Sequence, residues 1–280
     1  MAGSSMKAIK LRIRSVESTM QITKAMQLVA TSKLRRAKER MEMSKPYAAL
    51  SGEALAAAVG SLDETDTLFV ENGPAEKRCY VVIAGERGLA GGYNANVFKA
   101  LLAHAGNTPY CVLPIGRKAI DKFERLGVEL ISDENARVEG LSVTKCYQLA
   151  QKLIEGYRRG DYGEIVLIYT SFQSMMAQEV KTERLLPLTK PEGEKRPVVT
   201  VYEPSPEELL ESVVPDFLAG RLYCAACDAF ASEVSARRNA MDSATKNAGE
   251  MIGTLRLHYN RARQGAITQE ITEIVAGAEH

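Results

Sequence analysis

The sequence predicts an α/β protein whose N- and C-terminal helices are long and pair as an antiparallel coiled coil, with an α/β domain inserted between them. Two patterns predict it. Apolar and small residues recur every seven positions at both ends of the chain, whereas the middle alternates short β-branched runs with helical stretches. The absence of Trp and the presence of only six Phe fit helices built from Ala, Leu, Met and charged residues. The implied division is 1–60 for the first helix, 77–203 for the inserted domain and 206–280 for the last helix.

From Lys7 to Met41 there is neither Pro nor Gly. One row of the repeat is Ile9, Val16, Thr23, Ala30 and Ala37; its companion is Ile13, Met20, Gln27, Leu34 and Met41. Such 4-3 spacing keeps a narrow stripe on one helix face. Pro46 is expected to kink the helix, because it removes an N–H and crowds the preceding turn. The helical pattern resumes through Leu50 and Leu55 and stops at Gly60.

The C-terminal repeat is longer. Cys227, Val234, Met241, Ala248, Leu255 and Ala262 are spaced by sevens, with Phe230, Arg237, Ala244, Met251 and His258 read as companions. Pro215 is expected in the first helical turn, where its missing N–H costs nothing. A helix from about Val213 to about Val275 is roughly 95 Å long at ~1.5 Å per residue, too long to fold up inside a compact domain. The N-terminal helix is its natural partner. Small seam residues (Ala30, Ala37, Ala244, Ala248, Ala262) bring two helices close but bury little apolar area. That suits either an ordinary coiled coil or a rod held inside a protein sleeve.

Within 77–203 the period changes. Cys79–Ala84, Tyr110–Ile115 and Glu164–Tyr169 read as strands, and Tyr93–Ala105, Arg117–Leu126 and Val143–Arg159 as helices. This alternation implies a Rossmann-like unit, with largely parallel strands covered on both faces. Glu179–Leu188 adds a strand or hairpin, while Ser171–Met176 and Lys190–Pro197 read as loops.

No catalytic constellation is visible. Gly85-Glu-Arg-Gly88-Leu-Ala-Gly91-Gly92-Tyr-Asn94 occupies the place of a phosphate loop, after a strand and before a helix. It lacks both the G-x-G-x-x-G pattern and the Gly-Lys-Ser/Thr ending that would hold a γ-phosphate and Mg²⁺. A tight strand-to-helix turn is the expected role. Cys224-Ala-Ala-Cys227 has redox spacing but lies within a helix, where two small apolar residues on one face are expected instead. The five cysteines are odd in number and irregular in spacing, as for reduced thiols. His104, His258 and His280 share no ligand spacing. Neither a cofactor nor a metal is implied.

Formal net charge is +1, yet residues 7–45 carry eleven basic side chains against three acids, a local +8. Nucleic-acid binding is one explanation, although no aromatic residue precedes Tyr47 in this stretch for base stacking. A solvated helix exterior is another, and smeared charge sliding past acidic protein surfaces a third. There is no apolar run of 18 residues to span a membrane. The N-terminus has no secretory apolar region and no separate import peptide, which points to a bacterial cytoplasmic origin.

Four segments carry a resemblance. Ile22-Thr-Lys-Ala-Met26-Gln-Leu-Val-Ala-Thr-Ser-Lys33, Glu86-Arg-Gly-Leu-Ala-Gly-Gly-Tyr-Asn94, Tyr202-Glu203-Pro204 and Tyr259-Asn-Arg-Ala-Arg-Gln264-Gly-Ala-Ile-Thr268-Gln-Glu270-Ile-Thr272-Glu273-Ile-Val275-Ala-Gly277-Ala278 stand in order along the chain. Together they resemble the γ subunits of F-type ATP synthases. Two features depart from that pattern: the chain has His280 after Gly-Ala-Glu, and Ala90 stands where a cysteine is usual. The cysteine insertion of chloroplast members has no counterpart here.

The resemblance implies a non-catalytic central-stalk rotor, peripheral to the cytoplasmic face of the bacterial cell membrane. In this family the paired helices enter the cavity of a hexamer of α and β subunits, and the inserted domain stands on the c-ring with the ε subunit. Ion flow turns the ring, and the turning shaft drives ATP synthesis in the hexamer. Arg237, Gln264, Thr268, Glu270 and Thr272 resemble polar contacts to the hexamer, and Met26 a position near acidic β-subunit loops. Tyr202 and Glu203 fall where the foot meets the c-ring and the ε subunit. A basic nucleic-acid-binding coiled coil and a nucleotide-binding α/β enzyme are the alternative readings.

Overall fold

A computed structural model describes residues 2–61, 68–70, 76–132, 136–189 and 205–278. Helix α1 (Ala2–Ser61) and helix α5 (Pro206–Ala278) flank β1 (Arg78–Ile83), α2 (Tyr93–Ala105), β2 (Tyr110–Ile115), α3 (Arg117–Arg125), α4 (Val143–Arg159), β3 (Glu164–Phe172) and β4 (Gln178–Leu186). The chain divides into two compact units: residues 1–31 with 237–280, and residues 32–236.

The larger unit is built on a four-stranded sheet of order β2-β1-β3-β4. β1 pairs parallel with β2 and β3, and β4 closes the edge antiparallel to β3. The largely parallel sheet expected from the β-branched runs is therefore present, and Glu179–Leu188 contributes the antiparallel strand. Side-chain alternation divides the core as the two-residue strand period requires. Tyr80, Val82, Ala84, Val112, Val166 and Ile168 face α2 and α3. Cys79, Val81, Ile83, Cys111, Leu113 and Ile115 face α4 and the terminal helices, meeting Leu55 and Val59 of α1 and Leu218, Leu222 and Ala229 of α5. Helix α4 starts where the Ser142 hydroxyl accepts from Lys145 N and ends at Gly160 with φ of 79°.

In the same unit α1 and α5 pack directly. Ala37 and Met41 cluster with Cys227 and Ala231, the Cys224 thiol donates to the Ser44 carbonyl, and the Tyr47 ring fills the space left by Gly220. α1 continues through Pro46, which is exposed while Met41, Ser44, Ala48 and Leu55 carry the buried stripe past it. Leu50, expected on the packing face, is exposed: the 4-3 rhythm runs through Ala48 and leaves position 50 outside. Pro215 also differs from expectation. α5 begins at Pro206, so Pro215 lies inside the helix and is buried. Packing on both sides outweighs the lost hydrogen bond at each proline.

The smaller unit is a helix pair. Its antiparallel register is set by Glu17 with Arg256 (2.9 Å), Thr23 with Thr245 (2.8 Å) and Gln27 with Asp242 (2.8 Å). On α1, every seam position expected between Ile9 and Ala30 is buried or half-buried. On α5 the row Met241, Ala248, Leu255 and Ala262 also faces inward, but the companion row is shifted by one residue. Thr245, Ile252 and Tyr259 occupy the seam, while Met251 and His258 are exposed. In the larger unit the same shift puts Ala231, fully buried, where Phe230 was expected. The α1 residues opposite select this row, because the Thr23 and Gln27 side chains bond across to Thr245 and Asp242.

Gly116 joins β2 to α3 with φ of 94°, and a Cβ there would run into the Ala84 carbonyl oxygen. Gly116→Ala should therefore destabilise the larger unit by about 2–4 kcal/mol, through left-handed strain plus a backbone clash. Thermal melting of the full chain measures it, and a change within experimental error contradicts the geometry.

Candidate functional site

The glycine-rich segment is closed by its own polar groups. Gly85 N donates to Asn94 Oδ1 (2.8 Å), Val138 N donates to Glu86 Oε1 (3.1 Å), and the Tyr93 hydroxyl donates to the Ala229 carbonyl (3.0 Å). A Cβ on Gly85 would lie 2.8 Å from the Glu233 carboxyl, which is only 2% exposed. The Glu233 carboxyl thus occupies the space through which a phosphate would approach the Gly85 backbone. The segment is a strand-to-helix turn docked on α5, as expected, and the nucleotide-enzyme reading loses its only anchor.

The thiols are equally occupied. All five cysteines are free and buried. Burial pushes the Cys146 thiol up to about 12. Cys224 and Cys227 belong to the seam with α1, where the redox spacing reflects two successive small residues facing one neighbour. His104 is held by the Tyr80 hydroxyl (2.8 Å). Among the described residues no group of His, Cys, Asp or Glu is placed to hold a metal ion. No helix among them is long and apolar enough to cross a membrane.

Two groups of charges stand out within the basic run. Lys33 pairs with Glu139, Lys38 lies over the Phe172 ring (5.4 Å), and Arg40 bonds both the Tyr223 hydroxyl (3.0 Å) and the Leu141 carbonyl, so these charges fasten α1 to the larger unit. Lys7, Lys10, Arg12, Arg14 and Lys24 are exposed in the smaller unit. That unit, residues 1–31 with 237–280, carries eleven basic and six acidic side chains, a net +5 in a chain of +1.

Gln264, Thr268, Glu270 and Thr272 are all exposed near the end of α5. The Thr268 hydroxyl donates to the Gln264 carbonyl (2.9 Å) and the Thr272 hydroxyl to the Thr268 carbonyl (2.8 Å). These back-bonds use the hydroxyl protons and turn the oxygen lone pairs outward, leaving a ladder of acceptors on one helix face. Beside it runs an exposed apolar stripe of Ile267, Ile271 and Ile274. From Ile267 to Val275 every residue is exposed.

Arg237 does not join this group. It lies 27 residues before Gln264, on the order of 40 Å along the helix. Half-buried Met26 adjoins Gln27, which bonds Asp242, and so belongs near Arg237 at the opposite end of the helix pair. Tyr202 and Glu203 lie outside the described residues.

A helix pair in one unit, and in the other a four-stranded α/β sheet packed on stretches of the same two helices, are the two-ended coiled-coil architecture with an inserted α/β domain. A family described as ATP synthase matches residues 5–280. The ATP synthase γ chain of Ruminococcus albus is 46% identical over 279 residues, covering 97% of this chain and 96% of that one. A γ chain of Acetobacterium woodii named as sodium ion specific is 37% identical over 292 residues, covering 97% of each. A chain in the Euglena gracilis mitochondrial ATP synthase structure shares the fold with a TM-score of 0.69 at 16% identity, covering 99% of this chain and 94% of its own. The chain belongs to the ATP synthase γ chain family.

Asp242 provides a titratable probe of the helix pair. The hydrogen bond from the Lys246 ammonium, helped by Gln27, holds its carboxyl below the ordinary value of 3.8. A depressed folded value means that the carboxylate contributes stability above pH 3.8, and that this is lost as pH falls through the depressed value. The melting temperature of Asp242→Asn should fall below that of the unchanged chain at neutral pH, and the gap should close under acid. A gap that persists unchanged at pH 2, about two units below the ordinary value, contradicts this role.

Proposed function

We propose that this chain is the central-stalk rotor of an F-type ATP synthase, coupling rotation of a membrane ring to conformational change in a hexamer of α and β subunits. The observation that carries the reading is the end of α5, where an acceptor ladder and an isoleucine stripe extend with no covering from the described residues. A family member with such an end needs a partner to cover it. Gln264, Thr268, Glu270 and Thr272 are assigned to contacts inside the hexamer; Met26 and Arg237 act about 40 Å away, where acidic loops of the hexamer meet the exposed basic flank. Tyr202 and Glu203 are assigned to the foot on the c-ring and the ε subunit. The subunit then lies peripherally on the cytoplasmic face of a bacterial membrane.

A rotor acts by binding the successive states of its partner unequally, so it requires asymmetry and stiffness and no catalytic group of its own. The basic flank favours any acidic surface through smeared charge, which lets the shaft pass one surface after another without being trapped by a single pair.

Purification of a tagged chain from membranes tests the reading: α, β and ε subunits should co-purify with it. Recovery of a stable monomer, never accompanied by them, overturns it. Removal of residues 265–280 should leave the melting temperature of the isolated chain nearly unchanged, because Gly265 and every residue from Ile267 to Val275 are exposed and the half-buried Ala266 is small, yet should lower ATP synthesis by the assembled complex. Full synthesis with that truncation overturns the role given to the end of α5.

A further inference from the structure

Helix α5 carries a second row at seven-residue spacing, and it is polar. Arg221 reaches Glu183 on β4 through Nε (3.0 Å) and through its second nitrogen Nη2. Seven residues on, the Asp228 carboxylate accepts from the Ser171 hydroxyl (2.9 Å) and from Phe172 N (2.7 Å), both on β3. Seven further, the Ser235 hydroxyl donates to the Met175 carbonyl (2.9 Å) in the turn that joins β3 to β4. All three partners belong to one hairpin. The row spans about 21 Å of helix at ~1.5 Å per residue.

We propose that Arg221, Asp228 and Ser235 form a polar key through which the sheet turns α5. The proposal rests on the rotor reading and adds the route by which torque enters the helix. Apolar packing resists separation but is non-directional, so a helix held by it alone can roll or slide against a sheet. Hydrogen bonds weaken steeply with misalignment and so oppose both movements. Three residues bonded in this way at intervals of two turns, on one hairpin, fix the rotational and axial setting of α5 together. Asp228 is the central positioning residue because its one carboxylate holds two consecutive residues of β3. The ring of that same Phe172 also lies under the Lys38 ammonium of α1, so this strand end is tied to both long helices.

The test uses the assembled ATP synthase in sealed vesicles, comparing ions pumped per ATP hydrolysed. Asp228→Ala orphans two donors, and the cavity of about 250 Å³ that Asp228 itself lines gives water a way into the vacated space, so the domain should still fold. The expected result is a severalfold loss of pumping per ATP while hydrolysis continues. Asp228→Asn, which keeps the shape and an acceptor, should recover part of the loss, and Ser235→Ala should show a smaller one. Pumping per ATP equal to that of the unchanged complex in Asp228→Ala overturns the proposal. So does a lowered melting temperature with undiminished coupling, which makes Asp228 merely structural. Should the Asp228→Ala chain fail to assemble, undiminished coupling in both Asp228→Asn and Ser235→Ala overturns it equally. Failure of the unchanged chain to co-purify with the hexamer contradicts the rotor reading instead.

Discussion

A helix that hides only one narrow stripe cannot be stable by itself in water, and everything else in this chain follows from how α1 and α5 satisfy that constraint for each other. Each presents a row with 4-3 spacing, and each row finds its complement in the other helix. The seam is thin. In the smaller unit Ala30 and Ala248 are buried, and Ile252 and Met241 are the large residues most fully enclosed. Small residues contribute little apolar area, at roughly 25 cal/mol per Å². Specificity therefore falls on the polar pairs Thr23 with Thr245 and Gln27 with Asp242, which make sense in one register only. A one-residue slip would leave both pairs unmade.

That division of labour explains which parts of the fold were legible in the sequence. The strand and helix alternation of the middle is dictated by local period, and α2 and α4 have the boundaries that period implies. The α1 seam was readable because its polar members still alternate in step with apolar neighbours. The second row of α5 was not. Ala244 and Thr245, Met251 and Ile252, and His258 and Tyr259 are adjacent pairs in which either member could face inward, since +3 and +4 spacings are equally helical. The choice is made by side chains more than two hundred residues away in the sequence, so no local pattern contains it. The start of α5 was missed for a related reason, since Pro215 was expected in its first turn. Pro46 and Pro215 disfavour a helix locally, but each sits where neighbouring residues are already committed to burial on both sides.

The site was legible in a different way. Residue pattern alone indicated what the glycine segment could not be, and the structure supplies the positive role: Glu86, Tyr93 and Asn94 are spent closing the turn and docking it to α5. Those residues look like chemistry because they are polar and clustered around glycine, yet their partners are backbone atoms. The set Arg237, Gln264, Thr268, Glu270 and Thr272 looked like one group in sequence motifs, but the helix separates Arg237 from the rest. Periodicity could have revealed the row at 221, 228 and 235, because polar residues spaced by sevens in a stretch otherwise rich in Ala, Leu and Cys require a partner.

The two rows of α5 set different mechanical conditions. The apolar row toward α1 resists separation at little cost in width, which suits a member that must be slender. The polar row toward the hairpin resists rotation, which suits the place where turning force must enter. A helix with the first row alone would be a stable spindle that could spin within its own base. With the second, the proposed key holds the sheet and the stretch of α5 packed on it in one rotational setting. An element that transmits torque is defined by how firmly it is gripped at one end and how unevenly it touches at the other.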